Sequence, residues 1–169
     1  MFPISHVRTR TKQQGNMSVD VGDEAPDFTL PTDGAGELKL SSLRGQKVVL
    51  YFYPKDATPG CTTEAENFRD ALGEFSKAET KIVGVSKDSV KRHDNFKAKY
   101  DLPFPLVSDT DGEACEAYGV WVEKKNYGRT YMGIERSTFL IDEKGKIANV
   151  WRKVRVKGHV DNVLETVRS

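Results

Sequence analysis

Residues 47–53, KVVLYFY, form an apolar run rich in β-branched and aromatic side chains, closed at once by Pro54. Such a run suits a central strand buried on both faces of a sheet. Pro54 ends it, because a proline has no N–H for a strand ladder. After a short gap, Ala65, Phe68, Leu72 and Phe75 recur at helical spacing, which predicts a helix over 59–75. A buried strand that leads through a short loop into an amphipathic helix is a building unit of α/β domains.

The remaining segments extend this pattern. Residues 25–30 (APDFTL) and 36–43 (GELKLSSL) alternate apolar and polar positions around PTDGA, which predicts an N-terminal hairpin. Residues 81–86 (KIVGVS) predict a strand and 89–100 a helix with Ser89 as its N-cap. Residues 103–109 (PFPLVSD) predict a short strand, and 111–119 (DGEACEAYG) a short helix that stops at Gly119. STFLID and IANVWRKV flank the turn EKGK as a hairpin, and VDNVLETV closes the chain as a helix. The order is hairpin, β, α, β, α, β, α, β, β, α. It implies an α/β mixed central sheet flanked by helices. That order resembles a thioredoxin-like fold with an N-terminal β-hairpin extension, and it gives a fold class without a function.

Composition narrows the function classes. The 169 residues suit one domain, assigned to 19–169, and a net charge of +1 offers nothing to attract nucleic acid or an acidic membrane surface. No apolar stretch approaches the roughly 20 residues of a membrane span. Two cysteines do not make a disulfide scaffold, and their scarcity fits a reducing cytoplasm. His6, His93 and His159 are scattered without metal-ligand spacing, so they read as surface residues, and neither a metal nor a cofactor is expected. Residues 1–18 carry Arg8, Arg10 and Lys12 but no acid and no apolar core of a secretory signal. They read as a disordered tail or an upstream start ahead of Met17, with an organelle-targeting peptide as the alternative.

Cys61 falls in the first turn of the helix that begins at Pro59. Backbone N–H groups in that turn lack partners within the helix, and the dipole adds positive charge, so a thiolate there is stabilised. Pro59 suits the first helical position, where its missing N–H is not needed. A dithiol exchange motif needs a second cysteine three residues on, and that position is Glu64. A lone thiolate suits attack on a soft electrophile such as a peroxide oxygen, with donors such as the Thr58 hydroxyl meeting the developing charge. The competing reading is a small buried residue that packs the strand–helix junction.

PKDATPGC, Pro54 to Cys61, matches the P-x-x-x-T-x-x-C motif of peroxiredoxins. PGCTTEAENFRD, APDFTL, YGVWVEKKNYGRTYMGIERSTFLID and VDNVLETV resemble the bacterioferritin comigratory, or Q-type, subfamily, from Val21 to the C-terminus. The resemblance implies a thiol-dependent peroxidase acting on hydrogen peroxide and organic hydroperoxides. It makes Cys61 the peroxidatic cysteine, shielded by Pro54. Thr58 would hydrogen-bond the thiolate and the peroxide, Arg136 would be the active-site arginine, and Glu64 would orient that arginine. It also implies a monomer.

The chain departs from the family at the resolving cysteine. The two usual positions are Glu66 and the cysteine-free helix 89–100. Cys115 is the remaining candidate, and its competing reading is a buried core thiol. The expectation is a one-cysteine mechanism, with Cys61 oxidised to sulfenic acid and recycled by thioredoxin, glutaredoxin or a small-molecule thiol such as glutathione. Two alternatives stand beside it: a two-cysteine peroxidase that uses Cys115, and a peroxide sensor or redox-relay module. Trp121, Tyr127 and Tyr131 lie in a stretch read as an aromatic loop, where they either rim the peroxide pocket or pack against the sheet.

Overall fold

The structure, a computed structural model, describes residues 19–169, so the expectations for 1–18 lie outside the described residues. Strand β3 (Lys47–Phe52) is an inner strand of a seven-stranded sheet that also contains β1 (Thr29–Thr32), β2 (Gly36–Lys39), β4 (Thr80–Ser86), β5 (Leu106–Ser108), β8 (Ser137–Ile141) and β9 (Ile147–Trp151). The strand order is β2-β1-β5-β4-β3-β8-β9. β3, β4 and β5 run parallel, while β8 joins β3 and β1 joins β5 in antiparallel register. The N-terminal hairpin therefore becomes an edge of the main sheet. Prolines 103 and 105 confine β5 to three residues, fewer than the sequence suggests.

Four helices follow the expected order: α1 (Pro59–Lys77), α2 (Val90–Tyr100), α3 (Glu113–Ala117) and α4 (His159–Arg168). Ser89 caps α2, its hydroxyl accepting the Arg92 N–H at 3.2 Å. α1 runs two residues past the predicted Phe75, to Lys77.

Strand β3 alternates between two cores, as its geometry requires. Val49, Tyr51 and Tyr53 pack with Cys61, Phe68 and Phe75 of α1, Phe96 of α2 and Val160, Val163, Leu164 and Val167 of α4. Val48, Leu50 and Phe52 pack on the opposite face with Phe28, Ala114, Cys115 and Tyr118. The sheet thus lies between Cys61 and Cys115.

Residues 121–134 are not a loop. They form an antiparallel hairpin of β6 (Trp121–Asn126) and β7 (Arg129–Ile134), separate from the main sheet. Asn126 pairs with Arg129, leaving a two-residue turn of Tyr127 (φ 53°) and Gly128 (φ 78°). Two consecutive positive φ values make the primed turn that suits the strand twist. The polar run from Glu123 to Asn126, with Arg129 and Thr130 across the turn, masks the alternation of this stretch in the sequence.

Candidate active site

The site is built where β3 ends. Pro54 is half-buried, and residues 55–58 turn the chain into α1. Thr58 has extended backbone (φ −88°, ψ 155°) and its carbonyl accepts the first helical bond, from Thr62 N–H at 2.8 Å. The Gly60 and Cys61 amides thus precede the helical ladder, and Cys61 sits among them, 2% exposed. The Thr58 hydroxyl donates to the Lys55 carbonyl at 2.8 Å, so here its own proton closes the turn and is not directed at the sulfur.

Arg136 reaches this helix end from the link between β7 and β8, 75 residues away in the chain. Its backbone is pinned, because its carbonyl accepts the Val154 N–H at 3.0 Å, and its neighbour Glu135 donates its N–H to Val120 at 2.7 Å. One guanidinium nitrogen, Nη2, donates to Cys61 Sγ at 3.4 Å, and the other, Nη1, donates to Glu64 Oε1 at 2.6 Å. Glu64 lies one helical turn beyond Cys61, so both partners face the same guanidinium. Gly60 makes room for it: a Cβ there would meet Arg136 Nη2 at 3.2 Å. Sequence reasoning named Cys61, Glu64 and Arg136 but missed Gly60, whose only signal is its place beside Cys61.

Burial sets the electrostatics. Glu64 is completely buried, which pushes its carboxyl up to about 7 against the opposing pull of Arg136. Its second oxygen, Oε2, has no hydrogen-bond partner, and the Tyr51 hydroxyl shares that condition. Burial, and then the Glu64 charge, push the Tyr51 phenol well above its ordinary value. The Tyr51 ring stacks on Phe68 at 4.6 Å and lies over Gly84, where a Cβ would meet it at 3.1 Å. Arg136 is raised above its ordinary value by the charges of Glu64 and Cys61, which outweigh its own burial.

Cys115 belongs to the other core. Burial, and then Asp109, push its thiol well above the ordinary value, and its N–H donates to Asp109 Oδ2 at 2.8 Å. Both cysteines are free.

The aromatic residues divide. Tyr127, at the tip of the β6–β7 turn, is 96% exposed. Trp121 lies under the Lys87 ammonium, 4.0 Å from its ring centre. Tyr131 pairs with Lys124 across the hairpin, and both lie on the same face as Gly133. Lys124 is partly desolvated and within electrostatic reach of Cys61 and Arg136; burial first, then Arg136, lowers it below its ordinary value.

The histidines correct the sequence reading, because His93 and His159 are buried. His93 pairs both ring nitrogens internally and His159 pairs its Nε2, which lets an imidazole leave the surface. His159 Nε2 pairs with Thr138 Oγ1 at 2.8 Å, and burial together with Arg136 pushes it down to about 4. His93 Nδ1 meets Asp56 Oδ2 at 2.6 Å, and Nε2 meets the Val107 carbonyl at 2.9 Å. Asp56, Asp88 and His93 stand close enough to share a cation. Their atoms are committed instead to hydrogen bonds from Tyr53, Ser86, Arg92 and the Asp56 amide. Among the described residues no helix is long and apolar enough to cross a membrane.

A thiol, a guanidinium and a helix end converge at this strand–helix junction. Residues 21–150 match the AhpC/TSA family. The chain belongs to that family, among its Bcp and PrxQ peroxiredoxins. It is 59% identical over 148 residues to a putative peroxiredoxin bcp of Coxiella burnetii, spanning 88% of this chain and 98% of that one. It is 51% identical over 152 residues to the peroxiredoxin Bcp of Bacillus subtilis, spanning 90% and 97%. The bacterioferritin comigratory protein of Xanthomonas campestris superposes with a TM-score of 0.83 at 49% identity, covering 88% of this chain and 98% of its own. PrxQ of Xylella fastidiosa does so at 0.85 and 43%, covering 89% and 96%. The fold is accordingly the thioredoxin-like fold of peroxiredoxins. As a peroxiredoxin the chain is an oxidoreductase, a thiol peroxidase that reduces peroxides with electrons from a thiol.

Proposed function

We propose that this peroxiredoxin works through Cys61 alone and is recycled by an external thiol. The observation that carries the reading is the donation from Arg136 Nη2 to Cys61 Sγ at 3.4 Å. A guanidinium in that position favours the thiolate and stays in place for the oxygen that leaves. The Cys61 thiolate attacks the terminal peroxide oxygen. An S–O bond forms as the O–O bond breaks, and the departing alkoxide or hydroxide takes up a proton as alcohol or water. The sulfur is oxidised to sulfenic acid and the peroxide is reduced.

The Gly60 and Cys61 amides would supply further donors to the bound peroxide, the Thr58 hydroxyl, whose own proton is on the Lys55 carbonyl, would accept the peroxide proton, Pro54 would limit water, and Glu64 would hold the guanidinium. Tyr131 pairs across the hairpin with Lys124, which lies within electrostatic reach of Cys61, and this supports Tyr131 as pocket rim more than Trp121 or the exposed Tyr127. The Xanthomonas campestris relative is described for alkyl peroxide reduction, which supports organic hydroperoxides as substrates alongside hydrogen peroxide.

Recycling then takes two thiols from outside. The first condenses with the sulfenic acid to a mixed disulfide and releases water, and the second reduces that disulfide. Thioredoxin, glutaredoxin and small thiols have the chemistry required, and a monomer in the cytoplasm fits such encounters. The position of Cys115 across the sheet counts against the two-cysteine alternative. Steady-state peroxide consumption with each reductant tests the reading. Turnover must vanish in Cys61→Ser and depend on the added thiol; consumption that persists in that variant overturns it.

A further inference from the structure

The turn ahead of Cys61 is strained. Ala57 has φ 67°, a left-handed conformation that its Cβ disfavours, and its side chain is exposed, so no packing holds it there. The restraint comes from the preceding residue. Asp56 is 2% exposed and fastened at every polar atom. Its N–H donates to Asp88 Oδ2 at 2.7 Å, and its carbonyl accepts from Arg92 Nη2 at 3.4 Å. Its carboxylate accepts the Tyr53 hydroxyl at 2.5 Å on one oxygen and His93 Nδ1 at 2.6 Å on the other.

His93 ties that carboxylate to the sheet. Its Nε2 faces the Val107 carbonyl of β5, which can only accept, so Nε2 carries a proton. Nδ1 faces a carboxylate oxygen, so that position also needs a proton between the partners. A proton on each ring nitrogen satisfies both partners at once, so the geometry favours an imidazolium paired with Asp56 although the ring is wholly buried. The other charged groups around it are Asp88 and Arg92, themselves paired at 2.9 Å, and the Tyr53 phenol reaches it through Asp56.

We propose that Asp56 and His93 are positioning residues for peroxide reduction: their ion pair locks the turn at Ala57 and so sets Thr58 and the start of α1 around Cys61. The inference rests on Cys61 as the reacting thiolate. It also makes the site sensitive to alkali. When His93 loses its proton, either Val107 keeps Nε2–H and an Nδ1 lone pair faces the carboxylate, or the reverse occurs; one of the two contacts becomes lone pair against lone pair. Pairing with Asp56 and the Val107 carbonyl raises His93 above its ordinary value, which moves that loss to the alkaline side of 6.5.

The test is the second-order rate constant for Cys61 oxidation by hydrogen peroxide, read by quenched-flow mass analysis from pH 6 to pH 9. It compares the full chain with Asp56→Asn, His93→Gln and Tyr53→Phe, each rate normalised to the folded fraction by circular dichroism. Asp56→Asn and Tyr53→Phe nearly conserve volume and carry the test if His93→Gln does not fold. The expected result is a loss of between about tenfold and a hundredfold in Asp56→Asn, a smaller loss in Tyr53→Phe, and a rate that no longer falls at alkaline pH in Asp56→Asn. In the unaltered chain that fall should track His93 deprotonation measured by nuclear magnetic resonance. Rates per folded molecule within about twofold of the unaltered chain, or an alkaline fall that persists in Asp56→Asn, overturn the proposal. An unaltered chain in which Cys61 is not the residue oxidised would instead overturn the reading of Cys61.

Discussion

Cys61 and Cys115 lie on opposite faces of one sheet, each buried in a separate core built on alternate residues of β3. Bridged cysteines have Cα atoms within about 7 Å, so a disulfide between them would require part of the sheet to open. One equivalent of hydrogen peroxide should therefore add one oxygen atom to the intact mass, trappable at Cys61 by a sulfenic-acid reagent. Cys115→Ser should keep full turnover with an external thiol. Loss of two hydrogens in the oxidised chain would point to an internal disulfide instead. Without a resolving partner, excess peroxide should carry Cys61 on to sulfinic acid.

Arg136 serves two partners at once, Cys61 Sγ and Glu64 Oε1. Lysine offers a point charge without the planar fork, so Arg136→Lys should keep one contact and lose the other. Peroxide reduction should fall about tenfold in Arg136→Lys and about a hundredfold in Arg136→Ala, read as kcat/KM. A rate in Arg136→Lys equal to that of the unaltered chain would mean that the fork geometry is irrelevant.

Burial outweighs the pairing with Arg136 and pushes the Glu64 carboxyl up to about 7. Its folded value lies above its ordinary 4.5, so the protonated form favours folding: that contribution is complete below 4.5 and lost as the pH rises through about 7. The ionised form, present above about 7, is the one that holds Arg136 by charge. Peroxidase activity should therefore fall as the pH drops through 7, and Glu64→Gln should flatten that limb and lower the plateau above it. An unchanged limb in Glu64→Gln would assign the titration to another group.

Tyr51 buries a hydroxyl that has no hydrogen-bond partner. Leaving such a group unsatisfied costs about 1–3 kcal/mol, and phenylalanine keeps the ring that stacks on Phe68. Tyr51→Phe should raise the urea midpoint at unchanged m-value. A lower midpoint would show that the hydroxyl is satisfied in solution.

Much of the fold is legible in the sequence because periodicity reports which side of a segment is buried. KVVLYFY, the α1 spacing of Ala65, Phe68 and Phe75, and the EKGK turn each specify an element locally. The β6–β7 hairpin is not legible: the polar run from Glu123 to Asn126 hides the alternation, and Tyr127 lacks the composition of a two-residue turn. The histidines mislead for a related reason, since a residue type predicts exposure only until a partner is available, and Asp56 and Thr138 become partners through tertiary contact alone.

The sequence by itself determined the thiol, the helix start beneath it and the candidates Thr58, Glu64 and Arg136, because a motif and a helical turn are local facts. The tertiary structure decided what those residues do to one another. It carried Arg136 across 75 residues to Cys61, separated Cys115 from Cys61 by a sheet, and enclosed His93 with Asp56 beneath the strained Ala57 turn. Distance, burial and the choice of charge partner depend on how distant segments pack, and these quantities set the reactivity of a thiolate.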